Sequence, residues 1–179
     1  KEEEFAHAVG LALFDYMRKS FSQGFVVSLS GGADSSAVSC LVTIGLRLAI
    51  AELGVAGVRD RLPHVGLAED VDEWMPQLLA CVYQASEHSG DATERSAKEL
   101  AKSLGADYQS WTIAPLVEGY TSMVSGGLGR ELTWAKDDLA LQNIQARVRS
   151  PGIWMLANIR NSLLLATSNR SEAAVGYAT

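Results

Sequence analysis

The chain has 179 residues and a mass of 19.2 kDa, the size of one domain. With 47% hydrophobic and 20% charged residues it can bury a core, which excludes a mainly disordered, collagenous or coiled-coil chain. Fifteen basic and 21 acidic residues give a net charge of −6, which argues against a protein that wraps nucleic acid, but not against a small anion held by backbone amides or Mg²⁺.

Phe5 to Lys19 carries Phe5, Val9, Leu13 and Met17 at helical spacing, and Gln23-Gly24 ends that pattern. Phe25 to Leu29 reads as a buried strand. Ser35 to Ile50 has helical length, with Gly54 just beyond it. From about Gly54 to Pro76 a mix of Pro, Gly and acidic residues predicts a surface excursion, not a second domain. Leu78 to Tyr83 is a second apolar strand. Asp91 is expected to cap the next helix, with Glu94 three residues on. Ala97, Leu100, Ala101 and Leu104 form that helix's core stripe, and Gly105 stops it. Asp107 to Ile113 is a third strand, and Pro115 starts another helix. Ser125 to Gly129 reads as a flexible loop. Asp137-Asp138 precede a helix to about Arg149, Pro151-Gly152 break into the next, and Leu163 to Ala166 is a fourth strand.

This alternation predicts an α/β fold: a doubly wound, mostly parallel sheet, Rossmann-like, with helices on both faces. Ligands in such folds sit beyond the carboxyl ends of the strands, where the strand order reverses. Cys40 and Cys81 lie apart in apolar runs, giving no zinc pattern and suggesting buried free thiols. No run of about 20 uncharged apolar residues is present, so no membrane span is expected. The acidic start from Lys1 to Glu4 is no signal peptide, and an intracellular, cytoplasmic enzyme or binding domain is the default expectation. His7, His64 and His88 fall outside every motif and read as surface; Trp74, Trp111, Trp134 and Trp154 read as packing.

Chemistry concentrates after the first strand, in Ser30-Gly31-Gly32-Ala33-Asp34-Ser35-Ser36. Two glycines let the backbone turn tightly and approach a ligand, and a helix beginning near Ser35 aims its free N–H groups into the loop. Hydroxyls from Ser30, Ser35 and Ser36 complete an anion cradle. Asp34 suits such a site when it holds a cation, and Mg²⁺ is the natural one beside phosphate. An ordinary strand-to-helix turn capped by Asp34 and Ser35 is the plainer reading of the same residues. The loop is neither a Walker loop nor a dinucleotide Gly-x-Gly-x-x-Gly.

Ser-Gly-Gly-x-Asp-Ser resembles the pyrophosphate loop of the ATP pyrophosphatases, which cleave ATP to AMP and pyrophosphate while adenylating a carboxylate or carbonyl. Asn143-Ile-Gln-Ala-Arg147-Val-Arg149, Thr167-Ser-Asn-Arg-Ser-Glu172, Val175 to Thr179, and Cys81-Val-Tyr-Gln followed by Ser89-Gly-Asp-Ala-Thr resemble the NAD synthetase family, in its glutamine-dependent, two-domain form. The resemblance implies ATP-dependent amidation of deamido-NAD through an acyl-adenylate, with ammonia, taken from glutamine in a parent enzyme, as nitrogen donor. It implies ATP binding by Ser28, Leu29, Ser30, Gly31, Gly32, Ala33, Asp34, Ser35, Ser36 and Thr167, with Asp34 and Ser35 at the catalytic centre. It also implies Mg²⁺ on Asp34 and Glu172, and deamido-NAD on Asn143, Arg147 and Glu172. Taken alone, Asn143 and Arg147 would be a solvated helix face, Thr167 a strand-end cap, and Glu172 a first-turn carboxylate. Arg149 falls off the Asn143–Arg147 face and reads as structural or surface. Cys81 to Gln84 is either part of an adenine or ribose wall or plain core strand. Residues 1–179 read as a single synthetase domain, a fragment without its C-terminal part and glutaminase domain. The resemblance implies a homodimer or higher homo-oligomer, and no nucleic acid or membrane partner is expected. Another adenylating ligase of this loop class, or a non-catalytic nucleotide-binding domain, are the alternatives.

Overall fold

The computed structural model describes residues 1–86 and 89–167. Four parallel strands, β1 (Phe25–Ser28), β2 (Leu79–Ala85), β3 (Asp107–Thr112) and β4 (Leu163–Leu165), form one sheet in the order β3-β2-β1-β4. Phe25 pairs with Leu79 on one side and with Leu163 on the other. The chain therefore runs outward from β1 to β2 and β3, then returns to the opposite side of β1. The reversal between β1 and β4 is the topological switch point.

Seven helices accompany the strands among the described residues: α1 (Glu2–Ser20), α2 (Ala33–Arg61), α3 (Trp74–Leu78), α4 (Asp91–Leu104), α5 (Ala114–Leu128), α6 (Trp134–Arg147) and α7 (Arg149–Ile159). Successive strand residues point to opposite faces. Phe25, Val27, Cys81 and Tyr83 pack with Met17 of α1, Val42 and Leu46 of α2, and Ala97 and Ala101 of α4. Val26, Ala80 and Val82 pack with Ile153 and Ala157 of α7. Both faces are covered, so β1 and β2 read as unbroken apolar runs without alternation.

The stripe foreseen for α4 is the one buried, and Gly105 ends the helix in the left-handed region. Its start differs: Gly90 is the capping residue, Asp91 lies inside the first turn, and no side chain caps the helix. α2 continues past Ile50 to Arg61, bending at Gly54. By length and composition alone α2 could cross a membrane, but here Ser39, Val42, Thr43 and Leu46 are buried against the sheet and α1.

The segment from Gly54 to Pro76 is not the surface excursion foreseen. Val58, Leu62, Val65 and Trp74 are core residues. The Trp74 indole donates to Ala68 O at 2.8 Å, Arg59 stacks its guanidinium over that ring, and Gln77 bonds to Ala68 N and Gly66 O. The Pro and acidic residues mark the outside of a packed loop. Ser125 to Leu128 is likewise the last turn of α5, not a flexible loop, and Gly129 closes it in the left-handed region. His64 is half-buried, with Nε2 3.0 Å from Ser22 O, and not a free surface residue. Cys81 is buried and Cys40 half-buried; both are free thiols.

Candidate active site

The loop after β1 is built by its own hydroxyls. Ser35 Oγ accepts from Ser30 N at 3.2 Å, lies 3.1 Å from Ser30 Oγ, and is 3.3 Å from Gly32 O. Gly32 N donates to Ser30 Oγ at 3.2 Å, and Ser36 Oγ donates to Gly32 O at 2.7 Å. Ser39, one turn further along α2, donates to Ser35 O at 2.9 Å and touches Cys81 Sγ at 3.8 Å. The loop is thus tied to the core of β2. Burial pushes the Cys81 thiol up to about 11, so it sits there neutral.

Gly31 is indispensable for a steric reason. Its φ is +81°, and a Cβ there would lie 2.4 Å from Thr93 O at the start of α4. Gly32 starts α2 without a side-chain cap, so the first-turn N–H groups of Ala33, Asp34 and Ser35 have no acceptor within the helix.

These groups open into a cleft of about 520 Å³ at the switch point. One wall is Ser28, Ser30, Gly32, Ala33, Asp34 and Ser35; another is Leu164 to Thr167, running off β4. The third wall comes from α6 and α7: Ala146, Arg149, Ser150, Ile153 and Trp154. Among the described residues, Asp34 and Arg149 are the charged groups on these walls. The position follows from topology, because only at a reversal do the loops after adjacent strands splay apart.

The structure brings Ser28, Ser30, Gly32, Ala33, Asp34, Ser35 and Thr167 together. It does not place Leu29, Gly31 or Ser36 on the cleft. Leu29 is a core residue whose N–H continues the β1–β2 ladder by donating to Val82 O at 2.8 Å. Ser35, named for catalysis, is 3% exposed and its hydroxyl is engaged inside the loop. Asn143 and Arg147 line no wall of the cleft, and Glu172 lies outside the described residues. Cys81 to Gln84 is core strand, and it too is absent from the cleft.

Arg149 and Trp154 are the site residues that sequence reasoning missed. Arg149 lies off the Asn143–Arg147 face, and it is that other face, with Ala146, Arg149, Ser150 and Ile153 at helical spacing, that lines the cleft. α6 ends at Arg147 and α7 begins at Arg149, whose guanidinium donates to Gln145 O. Pro151-Gly152, expected to mark the break, lies inside α7; the break falls at Val148. Trp154 is 56% exposed on a cleft wall, unlike the fully buried Trp74.

Fold and cleft together define the class: an open parallel α/β domain that offers a Gly-Gly loop and a helix N-terminus at its switch point. A family model described as NAD synthase matches residues 6–179. The chain belongs to the NAD synthase family. It is 45% identical to a glutamine-dependent NAD(+) synthetase of Cytophaga hutchinsonii, whose crystal structure superposes with a TM-score of 0.93 over 99% of this chain and 33% of that one. It is 33% identical to the glutamine-dependent NAD(+) synthetase of Rattus norvegicus over 99% of this chain, and 34% identical to that of Aquifex aeolicus over all of it. The chain spans about a quarter of the length of these curated relatives, 27% and 26% respectively.

Proposed function

We propose that this chain is the adenylating domain of an enzyme that amidates deamido-NAD to NAD at the expense of ATP. The observation that carries this reading is the switch-point cleft, where Ser30 and Gly32 to Ser35 of the loop converge with Arg149 and Thr167. The relatives named above are glutamine-dependent NAD(+) synthetases, and glutamine is the proposed source of ammonia in the whole protein.

The nicotinate carboxylate of deamido-NAD attacks the α-phosphorus of ATP, the bond to the β-phosphate oxygen breaks, and pyrophosphate leaves. Ammonia then attacks the acyl-adenylate carbonyl, and AMP leaves with one carboxylate oxygen. Because the substrate supplies the nucleophile, the protein has to orient it in line and disperse charge. The first-turn amides of α2 receive the leaving pyrophosphate. Thr167, at the end of β4, faces the loop across the cleft as an ATP contact. Arg149 takes the anionic groups of deamido-NAD on the third wall; for Asn143 and Arg147 only the family resemblance argues such a contact. Mg²⁺ fits the donor set, since it takes one or two carboxylates and fills its remaining positions with phosphate and water. Asp34, an exposed carboxylate beside the loop, would hold it, with Glu172 as the proposed second ligand, and the ion would neutralise charge on the departing phosphates. Exposed apolar residues on α5 and α6, among them Leu116, Met123 and Leu139, support pairing as a homodimer.

Pyrophosphate release by the full natural chain tests the proposal. Release from ATP that requires deamido-NAD is expected, with ammonium supporting NAD formation. Release without deamido-NAD, or none with it, would contradict the substrate assignment.

A further inference from the structure

The first turn of α4 is held from the sheet by two hydrogen bonds. Tyr83 of β2 is 3% exposed and sets its hydroxyl 2.9 Å from Thr93 Oγ1. Thr93 Oγ1 donates to Gly90 O at 2.7 Å. A threonine hydroxyl carries one hydrogen, so with that hydrogen on Gly90 the Tyr83 phenol donates to Thr93. One residue further on, Ser110 of β3 donates to Glu94 Oε1 at 2.8 Å. The turn is thereby anchored to two strands. Against it rests the loop: at Gly31 there is no room for a Cβ, because the Thr93 carbonyl oxygen would lie 2.4 Å away.

We propose that Tyr83 is a positioning residue for the phosphate loop: its hydroxyl fixes Thr93, and the Thr93 backbone fixes Gly31 and the amides that follow it. This inference rests on reading that loop as the ATP site. Tyr83 lies outside the cleft walls. A buried phenol also needs a partner for its own sake. A bond serving only that need would set stability and leave nucleotide affinity alone.

Three substitutions separate the two roles in the full natural chain, with ATP binding measured by calorimetry in the presence of Mg²⁺ and KM for ATP measured beside kcat. Tyr83→Phe removes the donor, and Thr93→Val removes the acceptor while keeping the shape. Thr93→Ser keeps the hydroxyl. The expected result is ATP affinity weakened about tenfold in Tyr83→Phe and Thr93→Val, read as a raised KM with kcat at saturating ATP retained. Thr93→Ser is expected to stay near wild type, and the double variant Tyr83→Phe/Thr93→Val to be no weaker than either single one. Wild-type ATP affinity in Tyr83→Phe, or equal losses in Thr93→Ser and Thr93→Val, would overturn the positioning role alone. Failure of the unsubstituted protein to bind ATP would overturn the reading of the loop, and the positioning role with it.

Discussion

Asp34 and Arg149 place opposite charges on one cleft, an arrangement that suits the proposed anion carrying a cation. Asp34→Ala is expected to cost turnover on the order of a hundredfold, the loss of about 3 kcal/mol of electrostatic stabilisation. Its melting temperature should not move, because the side chain is exposed; a kcat within about twofold of wild type would refute its role. Arg149→Ala is expected to raise KM for deamido-NAD roughly tenfold, the value of a charge-assisted hydrogen bond, and to exceed the effect of Arg147→Ala. Steady-state kinetics on both variants checks the order. Asp34 was legible because a short loop after a buried strand is a local pattern. Arg149 was not, because only the tertiary packing of α6 and α7 decides which helical face turns to the cleft.

Cys81 makes a separate prediction. Its folded pKa is raised from 9.0 to about 11, so the folded state favours the neutral thiol. The contribution is fully present below pH 9 and is lost as the pH rises through about 11. Native protein at pH 8 should resist alkylation at Cys81 while the half-buried Cys40 reacts first, as peptide mass mapping would show. Equal labelling of both thiols would contradict the packing against Ser39.

At the scale of elements, α1 and α2 cross with almost no space between them. A Cβ at Gly45 would lie 2.7 Å from Gly10 O, and one at Gly10 would lie 2.9 Å from Gly45 Cα. Gly45→Val is therefore expected to destabilise the fold by about 1–3 kcal/mol, the usual cost of overpacking, seen as a lowered midpoint in urea. An unchanged midpoint would mean that the helices separate freely. This crossing was invisible in the sequence, where Gly10 and Gly45 are single glycines 35 residues apart with nothing local to pair them. The strands and α4 were legible because each carries its own period and its own stop signal, as Gly105 does for α4. The Gly54–Pro76 segment was misjudged because its order comes from distant partners. Composition alone does not reveal Arg59 over Trp74, or Gln77 holding the loop backbone. Ser125 to Leu128 was misjudged for a different reason: glycine lowers helix propensity but did not end α5.

At the scale of the molecule, the order β3-β2-β1-β4 decides where a cleft opens beyond the strand ends. It parts the loops after β1 and β4, and α7 closes the cleft from the side of the sheet opposite α2 and α4. The alternation of strands and helices was enough to foresee both the doubly wound sheet and a cleft beyond its strand ends. The third wall was not foreseeable, since α6 and α7 carry no pattern that names their position over the switch point.

The central claim is that a carboxylate is adenylated over this loop. Deamido-NAD labelled with ¹⁸O in its nicotinate carboxylate tests it most directly, with the labels of AMP and pyrophosphate read by mass spectrometry after one turnover. Attack at the α-phosphorus predicts one ¹⁸O in AMP and none in pyrophosphate. Label in pyrophosphate or inorganic phosphate, or AMP without label, would contradict it.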